Sequence, residues 1–268
     1  MNVKLIVAAH KPYRMPNDPM YLPLHVGHAG NNDLGWQGDD FGDNISFKNP
    51  HYCELTGLYW AWKNLDADAI GLTHYRRHFT KLSPGINQQL RNFCGLGQPI
   101  DNWEHILKQT QVELLLSKTQ VITPPKRNFF IETVANQYAQ AHHHEDLVQL
   151  RTTISERSPE YLAAFDKLMH GTSVHLFNMF IMHRSYLEAY CTWLFDILFE
   201  VEKRINISTY TPYDGRVFGF LGERLFDVWL NTNKISYQEC PVMFMEQQNW
   251  IKKGSSFLMR KMRNNYNK

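Results

Sequence analysis

The chain has little cysteine, no long apolar run, and neither an internal repeat nor a low-complexity linker. Its four cysteines, Cys53, Cys94, Cys191 and Cys240, are far apart and show no CxxC spacing. This excludes a disulfide framework or a zinc knuckle and fits a reducing cytoplasm. No stretch approaches the roughly 20 apolar residues of a membrane-spanning helix, and the longest apolar patches, such as Met179 to Met182, are strand-sized. The run from Met1 to His10 is too short for a signal peptide's apolar core and flanks. Net charge is also small, at +2 from 28 basic and 26 acidic residues.

That near-balance hides an asymmetry. Residues 251–268 carry Lys252, Lys253, Arg260, Lys261, Arg263 and Lys268 and no acid, leaving the body with 22 basic and 26 acidic residues. An acidic body without a nucleic-acid-binding motif argues against a nucleic-acid partner. The tail also holds Trp250, Ile251, Phe257, Leu258 and Met262 at its start and within it, a composition suited to lying on an anionic membrane surface.

Aromatics are abundant: 7 Trp, 16 Phe and 13 Tyr make up 13% of the 268 residues, enough to furnish both a core and the walls of a ligand site. Hydrophobic patterning predicts a strand over Val3–Ala9, then a long irregular segment from Lys11 to Asp43 rich in Pro, Gly, Asn and Asp. Asn49-Pro50 opens a helix expected to run to Lys63, with Leu55, Leu58, Tyr59 and Trp62 on one face. A strand over Ala69–Thr73, a helix over Trp103–Leu116 and a short strand over Gln120–Thr123 follow. Residues 129–168 read as mostly helical, Val174–Met182 as a core strand, and Leu187–Val201 as an amphipathic helix. A helix from Pro212 to Asn231 and a strand region over Ile235–Met245 complete an α/β pattern with a largely parallel sheet.

The most informative segment is Ile70-Gly-Leu-Thr-His74-Tyr75-Arg76-Arg77-His78-Phe79, where a buried strand empties into a cationic, aromatic cluster. Ligands of open α/β sheets bind outside the carboxyl ends of the strands. Arg76 and Arg77 therefore read either as an anion clamp or as a surface pair making ordinary ion pairs. Residues 43–64 gather Asn44, Asn49, Glu54 and Thr56 around a helix start, a setting suited to phosphate or sugar hydroxyls. The plainer reading is that Asn49 caps the helix and Glu54 faces solvent. Gly215, Gly219 and Gly222 line one side of the helix after Pro212, which makes sense where a backbone or ligand comes close. Arg216 and Glu223 lie on nearly the same stripe.

Metal signals are weak. Asp66 and Asp68 precede the Ala69 strand and so lie at the wrong end of the sheet. Asp39, Asp40 and Asp43 read as solvated loop acids. Consecutive His142, His143 and His144 diverge on a helix. The pairs His25/His28 and His74/His78 have tolerable spacing but no partnering acid pattern. No dedicated zinc site is expected.

The strings D-N-I-S…K-N-P-x-Y-C-E-L-T-x-L-Y-W-A-W-K-N and G-L-x-H-Y-R-R resemble a family of bacterial capsular and exopolysaccharide glycosyltransferases, long catalogued only as a domain of unknown function. F-N-M-F-I-M at Phe177–Met182 and R-V-x-G-F-L-x-E-R-L at Arg216–Leu225 extend the likeness to nearly the whole chain. The resemblance implies a GT-A-like α/β fold over residues 1–250, with a nucleotide-sugar half at about 1–125, an acceptor half at about 126–250, and a basic tail at 251–268. It implies transfer of a sugar, galactofuranose or another hexose, from a UDP-sugar to a polysaccharide or lipid-linked oligosaccharide in capsule, exopolysaccharide or O-antigen synthesis. The alternative is a non-catalytic carbohydrate-binding or assembly protein of the same fold.

On this reading Ala8, Ala9 and His10 line the nucleotide, and Arg76 and Arg77 clamp the diphosphate in place of the divalent ion most GT-A enzymes use. No cofactor is then required, although Mg or Mn on the diphosphate is compatible with it. His74 and Tyr75 touch sugar or phosphate, and Asn178 and Arg216 join the substrate-binding set. Glu223, with Asp214 as runner-up, takes the acceptor's proton, unless Glu223 serves only an Arg ion pair. The implied location is cytoplasmic, with the tail resting peripherally on the inner face of the plasma membrane.

Overall fold

The computed structural model describes residues 1–81 and 103–246. The basic tail and Cys94 therefore lie outside the described residues. One sheet organises the chain. Its order is β10 (Tyr237–Glu239), β6 (Val121–Thr123), β9 (Phe180–His183), β4 (Ala69–His74), β1 (Val3–Ala9), β2 (Tyr21–His25), β3 (Gln37–Gly38). The pairs β3–β2–β1–β4 and β6–β10 are parallel, while β9 runs antiparallel to both β4 and β6. Beyond β4 the chain turns at Tyr75-Arg76 into β5 (Arg77–Phe79), which pairs antiparallel with β11 (Val242–Phe244).

Strand β1 is buried along nearly its whole length, as a central parallel strand should be. Its alternation divides the core. Ile6 and Ala8 face a cluster with Leu72, α2 (Leu55–Asn64), α7 (Arg184–Glu202) and α8 (Val217–Thr232). Leu5, Val7 and Ala9 face the other side, where Val112 and Leu116 of α3 (Gln109–Leu116) pack. Helices thus cover both faces. Between β7 (Arg127–Asn128) and β8 (Ser173–Val174), α4 (Val134–Ala141), α5 (His144–Arg157) and α6 (Leu162–His170) make up the helical stretch that the sequence predicts. The two-stranded sheet of β7 and β8 brackets it.

Three expectations need correction. The segment 11–43 is not wholly irregular, because it supplies β2 and β3. Proline disguises β2: Val26 N donates to Ala9 O, so even-numbered residues of this strand face β1. Pro23 then directs its missing donor to the outer side, where β3 begins only opposite Leu24, so no ladder bond is lost.

The helix predicted from Asn49 to Lys63 is broken. A first turn, α1 (Asn49–Tyr52), ends at Cys53 in the left-handed region (φ 52°), and α2 restarts at Leu55. Likewise the strand predicted over Val174–Met182 splits at Phe177 (φ 83°) and Asn178 (φ 50°), leaving β8 in the small sheet and β9 in the large one. Left-handed non-glycine residues persist only where their surroundings hold them, and they concentrate at functional sites. Both breaks fall beside the same cavity.

The glycine stripe has a clear cause. A Cβ on Gly219 would stand 3.2 Å from Cys53 Sγ, and one on Gly222 would stand 2.8 Å from Leu55 Cδ1. The stripe lets α8 press directly on the α1–α2 break.

Candidate active site

A cleft of about 690 Å³ opens at the carboxyl ends of β1 and β4, walled by the Tyr75–Arg77 turn, the α1–α2 break and the first turns of α8. It collects Ala8, His10, Asn49, Glu54, His74, Tyr75, Arg76, Arg77, Arg216 and Glu223, all read from the sequence as site residues. Three guanidiniums and two carboxylates therefore share one hollow.

The arginines are held differently. Arg76 is 42% exposed at the rim, where its Nη1 lies 3.0 Å from Glu246 Oε2 and its guanidinium sits over the Tyr75 ring. Arg77 lies deeper. Its guanidinium rests 4.3 Å from the Phe177 ring centroid, with Phe244 at 5.8 Å, and it has no side-chain hydrogen bond or ion pair among the described residues. Burial lowers its affinity for its proton, while the fields of Glu54 and Glu223 work the other way. An arginine remains charged under such conditions, so the aromatic faces hold a cation whose donors are free for an anion. Arg216 donates from Nε to Cys53 Sγ at 3.1 Å, which fixes its guanidinium over the broken helix.

The carboxylates are both mostly buried. Glu54 accepts from Asn178 Nδ2 at 2.7 Å, and Asn178 also donates to Gly219 O at 3.1 Å. Glu223 accepts from Phe177 N at 2.8 Å and from Arg224 Nη1 at 2.7 Å. Burial raises the pKa of each, and the Glu54 charge pushes Glu223 further up. Raised carboxylates can accept a proton during a reaction near neutral pH. His74 is pushed down to about 3 by burial and by Arg77, so the ring is neutral. Its Nε2 lies 2.8 Å from Phe177 O, a carbonyl that can only accept, so Nε2 carries the hydrogen.

Five expected residues are not in the cleft wall. Ala9 points to the opposite face of β1, as strand alternation requires. Asn44 instead closes a loop, donating to Asp40 O and Gly42 O and accepting from Ser46 N. Thr56 is buried and donates to Asp39 Oδ2 at 2.6 Å. Asn178 stands behind Glu54. Asp214 sits in a turn, bonded to the Thr211 hydroxyl at 2.6 Å and close to His142 and His143.

Conversely, Cys53, Phe177, Tyr213 and Phe220 line the cleft without having been singled out. Cys53, Phe177 and Phe220 fall inside the motifs that carry the family resemblance, and for Tyr213 only the aromatic content was a hint. Asp68 binds the Asn2 backbone N at the amino end of β1, so the Asp66–Asp68 pair does lie at the far end of the sheet.

The neutral buried histidines predict acid sensitivity. Burial lowers His78 to about 3 and His142 to about 4, alongside His74 at about 3. Below about 6.5 the unfolded chain protonates these rings and the folded chain does not. Their contribution is thus complete above that value and is lost as pH falls toward 3 to 4. By pH 5 each costs about 2 kcal/mol. Glu54 and Glu223 act in the opposite sense, since their raised values favour the folded state as they gain protons. The urea midpoint should therefore fall clearly between pH 7 and pH 5; a flat midpoint over that range would show that the rings are charged when folded.

A cleft at the carboxyl ends of a largely parallel sheet, covered on both faces by helices, is the α/β architecture of a GT-A-like glycosyltransferase. The chain belongs to the family described as Domain of unknown function (DUF4422), which its residues 4–234 match. A solved apo structure of the bifunctional glycosyltransferase WbbM superposes with a TM-score of 0.82 at 31% identity, the match covering 91% of this chain and 45% of that one. The chain thus spans less than half the length of that relative. No curated protein sequence matches it. Among the described residues no helix is long and apolar enough to cross a membrane.

Proposed function

We propose that this protein is a nucleotide-sugar-dependent glycosyltransferase that moves a hexose, with galactofuranose as one candidate, from a UDP-sugar to a hydroxyl of a glycan or lipid-linked glycan. The observation that carries this reading is Arg77: a deep guanidinium stacked on an aromatic ring, without an internal anion, in a cleft shared with two proton-accepting carboxylates. The likeness to WbbM supports it.

In this scheme the base and ribose lie toward Ala8 and His10, and the diphosphate lies on Arg77, with Arg76 and Arg216 at its sides. The acceptor oxygen attacks the anomeric carbon, the bond from that carbon to the phosphate oxygen breaks, and Glu223 takes the hydroxyl proton. Negative charge grows on the departing UDP, where preorganised guanidiniums stabilise it more than they stabilise the bound donor. They supply the charge that a divalent ion supplies in most GT-A enzymes, so we propose that transfer does not strictly need Mg or Mn.

A panel of UDP-, GDP- and dTDP-sugars tests the reading by thermal unfolding followed by product analysis. A UDP-sugar at ~100 times its Kd should add about 2.7 kcal/mol of stability, and the same sugar should be transferred or slowly hydrolysed. Lack of any nucleotide-dependent shift would sink the proposal. Binding without turnover would instead favour a carbohydrate-binding protein of the same fold.

A further inference from the structure

We propose a second site, outside the cleft: a divalent transition-metal site, of the kind zinc occupies, built by His25, His28 and Asp33 at the carboxyl end of β2. One ligand atom from each of these three lies within 4.8 Å of the others, and they are such a group among the described residues.

Two details distinguish them from a chance cluster. His25 is 1% exposed, yet its Nδ1 has no hydrogen-bond partner. A buried imidazole nitrogen left bare is costly unless something outside the chain satisfies it. His28 shows the complementary arrangement. Its Nδ1 lies 2.8 Å from Asp40 Oδ2, which fixes the hydrogen on that nitrogen and leaves Nε2 as a lone-pair donor. Metal-binding histidines characteristically give their other N–H to a carboxylate in this way.

The spacing suits an ion. Donors bound tetrahedrally at about 2.0–2.1 Å stand roughly 3.4 Å apart, and His28 Nε2 is 3.6 Å from Asp33 Oδ1. The His25 and His28 rings meet edge to face with centroids 4.9 Å apart, and a ring nitrogen of His25 lies within 4.8 Å of the other two donors. Two imidazoles, one carboxylate and a water make a set that a borderline ion such as Zn²⁺ prefers over Mg²⁺. Gly38 keeps the space open, since a Cβ there would stand 2.6 Å from the His28 ring.

Such an ion would tie β2 to the loop after it. That loop carries Val26 into the cleft wall and packs Gly27 against Asn49, so the ion would brace one side of the cleft without touching its contents.

The experiment uses the full chain without a histidine tag, stripped by chelator, then titrated with Zn²⁺ and separately with Co²⁺. Near-stoichiometric zinc uptake at micromolar protein is expected, with a rise in Tm of about 5 °C or more at a hundredfold excess over Kd. Co²⁺ should give a visible d–d spectrum. His28→Gln and Asp33→Asn, both at partly exposed positions, should weaken zinc binding at least tenfold while circular dichroism stays unchanged. Asp40→Asn should weaken it by about 10-fold or more through loss of the orienting bond. Uptake well below one equivalent, or zinc binding by His28→Gln as tight as by the unmodified chain, would overturn the site.

Discussion

Arg77→Ala should lower sugar transfer by about 10³-fold while leaving the unfolding temperature nearly unchanged. Removing one preorganised donor that meets charge developing in the transition state costs 10²–10³-fold or so, and Arg77 offers a whole fork of donors. Its side chain has no hydrogen-bond or ion-pair partner among the described residues, so the fold loses its contacts with the Phe177 and Phe244 rings and a favourable field on Glu54 and Glu223. Arg77→Lys should rescue little, because an ammonium neither stacks as a plane nor binds a phosphate through two parallel bonds. Arg76→Ala should cost far less, since Arg76 is 42% exposed and already shared with Glu246. Single-turnover rates with saturating donor check the set. An Arg77→Ala variant keeping more than a tenth of the rate would move the diphosphate elsewhere.

Glu223→Gln should reduce turnover by roughly 10²- to 10⁴-fold and remove the acid limb of the kcat/KM pH profile. The amide oxygen can keep one of the two bonds, from Phe177 N to one oxygen or from Arg224 Nη1 to the other. The NH2 group then faces the remaining donor, so circular dichroism with urea unfolding must show that the variant folds. Glu54→Gln is the companion measurement. If Glu54 only binds a sugar hydroxyl, KM rises and the pH limb survives. If the limb vanishes with Glu54 and survives with Glu223, the two roles exchange. Equal, near-normal rates for both would remove carboxylate catalysis from this cleft.

Much of this was legible beforehand, and the exceptions share a cause. Strands β1, β4 and β6 and helices α7 and α8 were readable because each is a local apolar pattern with its own period. Ten of the expected site residues reached one cleft. His74, Tyr75, Arg76 and Arg77 from the decapeptide that ends β4 and Arg216 and Glu223 from the stripe around the start of α8 announce themselves by charge and by glycine spacing. Ala8, His10, Asn49 and Glu54 do so by their place at a strand end or helix start. The misses depend on partners distant in sequence. Nothing local says that Pro23 meets an open edge, and nothing in Asn49–Lys63 says that α8 will force Cys53 into a left-handed turn. Asn178 was placed on the substrate, whereas its amide reaches behind to aim Glu54. Ala9 was misassigned where simple alternation along β1 already sufficed. The pairing of His28 with Asp33 and Asp40 needed the loop's fold, which a spacing rule cannot supply.

The antiparallel strand β9 has a consequence for how the chain is made. Among the described residues it alone joins β4 to β6, and it does so through residues 180–183, which leave the ribosome long after β4 is complete. At about 5–20 residues per second the bare edge of β4 waits roughly 5 to 20 s for its neighbour. Throughout that interval a hydrophobic strand with unpaired amides is available to other nascent chains. Synthesis stalled between β4 and β9 should therefore yield aggregated or chaperone-held product rather than a folded amino-terminal half.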